Sequence, residues 1–368
     1  MNPFLISGYK SPEYFCNRSR ETEKLLDAIH NSRNVTLVAE RRLGKTALLR
    51  HVENQVGNEQ AFLYFDLYPT LNLKDFIRLL SEIIFRQLEP FSEKLIRKVT
   101  AFFSSLNPKF SFDPATGAPN LELTVNSSAE AEKSVTLIFD YIRKSGKKVA
   151  VAFDEFQQIL NYPEKNVEAL LRTEIQKDPD SCYIFSGSRT HLLMSMFNEY
   201  PRPFYQSTEI LNLGKIDKND YTKFIASHYN QHERKIDAAT PGYIYEINNG
   251  ITYNIQYTCN KLFSFAEQQI TNSLVDAVLE DVLLENEIIY YNYRELVSSL
   301  QFKILKAVAK EKIVEKPFSN TFISMHNLGS TSSVKTAIEI LLKKGLLINN
   351  QGLRVTDWFF SLWLARQL

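Results

Sequence analysis

The sequence predicts an α/β fold: a parallel sheet covered by helices on both faces, followed by a helical region and a small basic module. Five short apolar runs alternate with helical stretches over about the first 215 residues, a pattern typical of buried parallel strands. Residues 214–290 contain no strong strand pattern. From Tyr291 onward, 11 Lys and Arg outnumber 5 Asp and Glu, which gives this segment a net charge of +6.

Length and composition indicate a folded protein of two or three domains and exclude several other classes. The 368 residues suggest two or three domains at roughly 150 residues each. A hydrophobic share of 44% excludes general disorder, and the near-zero total charge conceals −5 on the residues before Tyr291. Cys16, Cys182 and Cys259 are far apart, which excludes a disulfide framework and a CxxC zinc site. Without a signal peptide or a membrane-length apolar run, the protein is expected to be cytoplasmic.

The predicted core covers residues 1–215. Its expected strands are the apolar runs at 35–38, 61–67, 149–153, 182–185 and 209–213. Helical spacing predicts crossover helices at 46–55 and 73–91. An insertion interrupts this alternation at about 108–126, where the alternating runs 109–112 and 121–125 flank turn-forming residues and predict a β-hairpin.

Two further modules are predicted after the core. Residues 216–290 form a small helical domain, with helices expected at 221–229, 253–268 and 274–289. Residues 291–368 have the order helix, helix, helix, β-hairpin, which is that of a winged helix-turn-helix. The aromatic stretch after Asp357 is too short for a membrane anchor and predicts a packing helix.

The strongest motif is a phosphate-binding loop between the first strand and its helix. The segment Ala39-Glu40-Arg41-Arg42-Leu43-Gly44-Lys45-Thr46 has the P-loop arrangement, with Ala39 in place of the first glycine. Gly44 lets the backbone approach phosphate oxygens, and the helix amino terminus points amides at them. The residues predicted to contact ATP are Glu40, Arg41, Arg42, Leu43, Gly44, Lys45, Thr46 and Ala47. The alternative is a chance Gly-Lys-Thr at a helix start.

An acidic pair provides the expected partner of this loop. Asp154 and Glu155 directly follow the apolar run 149–153, about 110 residues after the loop. Thr46 and Asp154 are the candidate Mg²⁺ residues, Lys45 is expected at the β- and γ-phosphates, and Glu155 is the candidate general base. The alternative is a buried strand followed by a solvated acidic turn. A Glu directly after the Asp indicates a hydrolysing subclass, in which another strand separates the two motif-bearing strands.

Three more residues are candidates for the γ-phosphate. Ser188 and Arg189 follow the fourth strand, and a polar residue there senses the γ-phosphate if that strand adjoins the P-loop strand. Arg202 lies before the fifth strand, where an arginine finger would be presented to its own site or to a neighbouring subunit. The alternatives are an ordinary strand-end turn for the first two residues and a surface Arg in a Pro-rich loop for the third.

The ordered set of motifs resembles the STAND/AAA+-type P-loop ATPases, in particular the archaeal-type ATPase family and its bacterial relatives. Beyond the loop and the acidic pair, the matching segments are 15–18, the hairpin segment 112–119, 186–189, 202–205 and 355–363. The resemblance implies a three-layer P-loop core, a helical lid and a winged helix that together use ATP and Mg²⁺. It also places Phe15 to Arg18 near the adenine. Relatives often have Gly-x-Pro in the lid, where this sequence has Thr252 instead of proline.

The basic module suggests duplex DNA as a partner. Ser332, Ser333, Lys335 and Thr336 lie on the predicted recognition helix, while Lys343, Lys344 and Arg354 are placed to reach phosphates. The alternative is that the winged helix packs against the nucleotide domain, binds a protein or self-associates.

Taken together, the motifs make a Mg-dependent ATPase whose nucleotide state moves the winged helix the leading hypothesis. The alternatives are a nucleotide-gated DNA- or protein-binding regulator with little turnover, and a scaffold with a vestigial P-loop.

Overall fold

The computed structural model describes residues 2–57, 60–88, 93–104, 108–112, 119–123, 127–265, 269–350 and 352–367. The chain divides into two compact units. One is Ser7–Ile216, and the other combines Asp217–Leu368 with Met1–Ile6. The finer boundary between a helical lid at 216–290 and a winged helix at 291–368 stays a prediction.

A five-stranded parallel sheet forms the centre of the first unit, with the strand order β2-β5-β6-β1-β7. The strands of this unit are β1 (Val35–Ala39), β2 (Ala61–Asp66), β3 (Lys109–Phe112), β4 (Pro119–Glu122), β5 (Val149–Asp154), β6 (Cys182–Gly187) and β7 (Glu209–Leu213). Every residue of β1, β5 and β6 is buried, which explains why these strands are continuous apolar runs. The predicted separation of the two motif-bearing strands is confirmed, because β6 lies between β1 and β5.

Helices cover both faces of this sheet, as the predicted three-layer fold requires. The helices of the unit are α1 (Ser19–His30), α2 (Lys45–Val56), α3 (Leu73–Leu88), α4 (Glu93–Phe102), α5 (Ser128–Arg143), α6 (Val167–Gln176) and α7 (Thr190–Asn198). Apolar residues of α1 and α2 form one core with alternate strand residues such as Ala152. Those of α3, α5, α6 and α7 pack on the opposite face with Phe153 and its neighbours. The alternation follows from the two-residue period of a strand.

The predicted hairpin insertion is present as the antiparallel pair β3 and β4. Its second strand begins at Pro119, two residues before the predicted start, because Pro119 pairs with Phe112. It ends at Glu122, and the predicted residues 124 and 125 lie outside the described residues. Residues 113–118 of the predicted turn lie outside the described residues.

The second unit is mostly helical and ends in a small β-hairpin. Its elements are α8 (Lys218–Gln231), α9 (Thr240–Ile247), α10 (Thr252–Phe263), α11 (Asn272–Glu285), α12 (Glu287–Glu295), α13 (Ser299–Glu311), α14 (Asn320–Met325), α15 (Thr331–Lys343), β8 (Leu347–Asn349), β9 (Leu353–Val355) and α16 (Trp358–Arg366). Antiparallel β8 and β9 follow α13, α14 and α15, which confirms the winged-helix order. Ser330 caps α15 by accepting a hydrogen bond from Ser333 N. Among the described helices, none has the length and apolar character needed to cross a bilayer.

Candidate nucleotide site

The loop from β1 to α2 has the conformation that a close approach to an anion requires. Gly44 caps α2 with φ of 90°, a left-handed conformation that costs glycine little. Ala39, which replaces the first glycine of the motif, is the last residue of β1, and its methyl group is buried in the apolar core. Of the other predicted contact residues, Leu43 and Lys45 are buried, Glu40 and Ala47 are half-buried, and Arg41, Arg42 and Thr46 are exposed.

Arg18 contacts the phosphate loop directly. Its guanidinium is buried, and Nη2 donates a hydrogen bond to the carbonyl oxygen of Leu43 at 3.0 Å. Nη1 lies 3.3 Å from the Glu21 carboxylate. The contact with Leu43 connects the segment before α1 to the loop. The expected position of Arg18 near the adenine stays a prediction.

The fold brings together the loop and the acidic pair that lie over 100 residues apart in sequence. The Thr46 hydroxyl donates a hydrogen bond to Asp154 Oδ2 at 2.9 Å. Lys45 Nζ lies 3.6 Å from Asp154 Oδ1 and 3.4 Å from Glu155 Oε1. Strand order explains this convergence, because β1 and β5 are both adjacent to β6 and end at the same edge of the sheet.

Asp154 is held as an anion by several donors. Burial raises the pKa of its carboxyl, but the charge of Lys45 and hydrogen bonds from Ser186, Thr46 and Tyr64 hold that pKa below its ordinary value. The Tyr64 hydroxyl donates to Oδ2 at 2.9 Å. Burial, together with the Asp154 charge, raises the pKa of Tyr64 and keeps its hydroxyl protonated as a donor.

Glu155 has a fixed orientation at the end of β5. Its backbone is left-handed, with φ of 54°, which turns the chain from the strand into the 3-10 helix Phe156–Asn161. Oε1 faces Lys45, whereas Oε2 accepts hydrogen bonds from Ser188 N at 3.2 Å and Ser188 Oγ at 2.9 Å. Gln157 Nε2 donates to the same oxygen at 2.5 Å. Ser188, expected to sense the γ-phosphate, thus contacts the candidate base.

The two arginine candidates have different surroundings. Arg189 is exposed and occupies the amino-terminal cap position of α7, directly after the strand end that carries Ser188. Arg202 forms an ion pair with Glu168 at 2.8 Å, and the side chains are only 33% and 12% exposed. Burial raises the pKa of Glu168 despite this charge. The described contacts therefore join Ser188, but not Arg202, to the cluster around Lys45.

Three residues of the cluster escaped the sequence analysis. Tyr64 on β2 and Ser186 on β6 bond Asp154, and Gln157 bonds Glu155. Asp66 also lies near the acidic pair, because it is the register partner of Asp154 in the β2–β5 pairing. Burial, together with the charges of Asp154 and Glu155, raises its pKa. Sequence signals existed for Gln157, which lies two positions after Glu155, and for Ser186, which lies in the matching segment 186–189.

Comparison with protein families gives two matches that together extend over most of the chain. The family described as "ATPase domain predominantly from Archaea" matches residues 15–257. The family described as "Probable winged helix domain" matches residues 288–366. No curated protein sequence matches significantly.

Solved structures share the fold at low sequence identity. The Walker-type ATPase PABY2304 of Pyrococcus abyssi aligns with a TM-score of 0.67 and 19% identity, covering 98% of this chain and 99% of that one. The ORC2 protein of Aeropyrum pernix, in ADPNP and ADP complexes, aligns with a TM-score of 0.59 and 15% identity, covering 99% and 95%. Both similarities support the P-loop α/β fold.

Proposed function

The chain belongs to the family of ATPase domains found predominantly in Archaea, and from this premise we propose that it hydrolyses ATP with Mg²⁺. We further propose that the bound nucleotide changes the position of the winged helix. The observation that carries the first proposal is the convergence of Lys45, Thr46, Asp154 and Glu155 at one edge of the sheet, with donor–acceptor distances of 2.9 to 3.6 Å.

Each residue of this cluster has a chemical role in the proposed reaction. Backbone amides of the loop and the amino terminus of α2 bind the phosphate chain, and Lys45 neutralises charge on the β- and γ-phosphates. Glu155 accepts the proton of the attacking water as general base. In this proposal Ser188, Arg189 and Arg202 are the candidate residues for γ-phosphate contacts, and Arg18 supports the loop through Leu43.

The oxygen donors suit a magnesium ion. Mg²⁺ prefers oxygen ligands and commonly binds through one or two protein groups plus water and substrate phosphates. Thr46 and Asp154 supply such groups, and the hydrogen that Thr46 donates to Asp154 leaves its oxygen lone pairs available. Within the described ranges, no three His, Cys, Asp or Glu side chains could hold a metal alone. Bound Mg²⁺ would neutralise phosphate charge at this site.

Phosphate release from ATP tests the proposed hydrolysis. We expect the full chain to release phosphate with Mg²⁺ and to lose at least about 100-fold in rate in excess EDTA, because charge on the phosphates then lacks a counterion. Release that continues unchanged in EDTA would contradict the magnesium requirement. A purified, folded chain with no ATP-dependent release would contradict the proposed hydrolysis.

A second candidate function is DNA binding regulated by the nucleotide. It is favoured by the exposed polar and basic surface of α15, where Ser332, Lys335 and Lys343 all face solvent. Lys344 is less available, since its ammonium contacts the Leu296 carbonyl oxygen. Arg354 is half-buried and donates to Asn350 O at 3.3 Å. This surface fits the phosphate backbone of duplex DNA better than an apolar partner.

Salt-dependent binding to duplex DNA tests this candidate. The double variant Lys335→Ala/Lys343→Ala is expected to reduce the slope of log affinity against log salt by about 1 to 2, since each phosphate contact contributes about 0.9. Lys303→Ala/Lys310→Ala on α13 is the matched control and should leave the slope unchanged. If nucleotide state moves the winged helix, ATP and ADP should change DNA affinity by about 5-fold or more. Equal affinities of the double variant and the wild type would exclude this surface.

A further inference from the structure

We propose that Gln157 is a positioning residue that aims the Glu155 carboxylate, and that Gly187 is glycine because the Gln157 amide occupies the space of a side chain there. The inference rests on the proposed function, in which Glu155 is the general base. It gives roles to two residues, one on the 3-10 helix and one on β6, to which the sequence analysis assigned none.

The first argument is the way in which Glu155 is held. The left-handed backbone at Glu155 folds the chain back, so that Gln157, two residues later, reaches the same carboxylate. Gln157 Nε2 donates to Oε2 at 2.5 Å, the shortest of the three hydrogen bonds to that oxygen. Oε1 remains directed at Lys45, at 3.4 Å. Gln157 and Ser188 therefore fix one oxygen of the carboxylate while the other faces the phosphate loop.

The second argument is the orientation of the Gln157 amide. The side chain is only 5% exposed, and its Oε1 is a buried atom without a hydrogen-bond partner among the described residues. Exchanging the amide oxygen and nitrogen would direct a carbonyl at a carboxylate, acceptor against acceptor. The contact with Glu155 therefore determines the orientation of the Gln157 amide. In this orientation the Gln157 carbonyl oxygen is buried without a hydrogen bond, which is energetically unfavourable.

The third argument is the close approach at Gly187, the last residue of β6. A Cβ at this position would lie 1.9 Å from Gln157 Oε1 and 3.0 Å from its Cδ. A real Cβ does not approach another atom to 1.9 Å, so any other residue would displace the amide. Because the obstructing atoms are at the end of a flexible side chain, Gln157 would rotate away and release Glu155, while the strand itself is retained.

A double-mutant cycle tests this pairing. We expect Gln157→Leu, which keeps the volume but removes the donor, to lower kcat at least about 10-fold, because small displacements of catalytic groups have large kinetic costs. The dissociation constant for ATP should stay within about 2-fold. Gly187→Ala should have the same effect on kcat. The double variant should be no slower than Gln157→Leu alone, because the displaced amide is already absent.

The outcomes separate the inference from the proposed function. Gln176→Leu, an exposed change at the end of α6, is the control and should keep full kcat. An active wild type with a fully active Gln157→Leu variant would overturn the inference alone, as would effects of the two substitutions that multiply. A wild type without ATP hydrolysis would overturn the proposed function and the inference together. Urea unfolding of the wild type, the two single variants, the double variant and the control distinguishes loss of folding from loss of positioning.

Discussion

Glu155→Gln is expected to lower kcat for ATP hydrolysis at least about 100-fold while ATP binding is retained within about 3-fold. A positioned general base contributes about 10²- to 10⁴-fold, and an amide cannot accept the proton of the attacking water. ATP binding is retained because Glu155 is not part of the phosphate-binding loop. Its side chain contacts Lys45 and Ser188. Steady-state phosphate release and titration with a fluorescent ATP analogue measure the two quantities.

Glu199→Gln is the control for this variant, because Glu199 is exposed and lies outside the cluster. It should retain the wild-type kcat. A Glu155→Gln protein with normal turnover would remove this residue from the general-base role and would favour Asp66 or a base supplied by the substrate.

Lys45→Ala is expected to weaken ATP binding at least about 100-fold, corresponding to a loss of about 3 kcal/mol. Lys45 is the buried cation of the cluster, and its ammonium lies 3.6 Å from Asp154 Oδ1 at the end of β5. Without it, the phosphate chain would lie near Asp154 and Glu155 with one buried positive charge fewer, and like charges repel strongly in a partly buried site. Isothermal titration calorimetry measures the change.

Lys24→Ala is the matched control, since Lys24 is exposed on the neighbouring helix α1. It should leave ATP affinity unchanged. If Lys45→Ala instead bound ATP with the wild-type affinity, the nucleotide would have to bind away from this loop.

The sheet and the loop were predictable because their signals are local. A strand buried on both faces requires a continuous apolar run, and β1, β5 and β6 each have one. The phosphate loop is likewise local, since strand, loop and helix follow one another within about 20 residues. Asp154 and Glu155 could be assigned because each motif has a fixed place relative to its own strand.

The remainder of the cluster depends on tertiary pairing that the sequence does not contain. Tyr64 reaches Asp154 because β2 pairs with β5 in a register that places Asp66 beside Asp154. Such a register is fixed by packing of the whole sheet. Arg202 similarly has its ion pair with Glu168, a residue 34 positions earlier on another element. Its expected role as an arginine finger stays a prediction.

The most direct test of the central claim is a crystal structure of the full chain with a non-hydrolysable ATP analogue and Mg²⁺. The account predicts that the phosphate chain contacts the backbone amides of residues 41–46 and that Lys45 contacts the terminal phosphates. It also predicts that the metal ion lies near the Thr46 hydroxyl and the Asp154 carboxylate. A nucleotide bound at any other edge of the molecule, or phosphates in this loop with the metal ion distant from both residues, would contradict it.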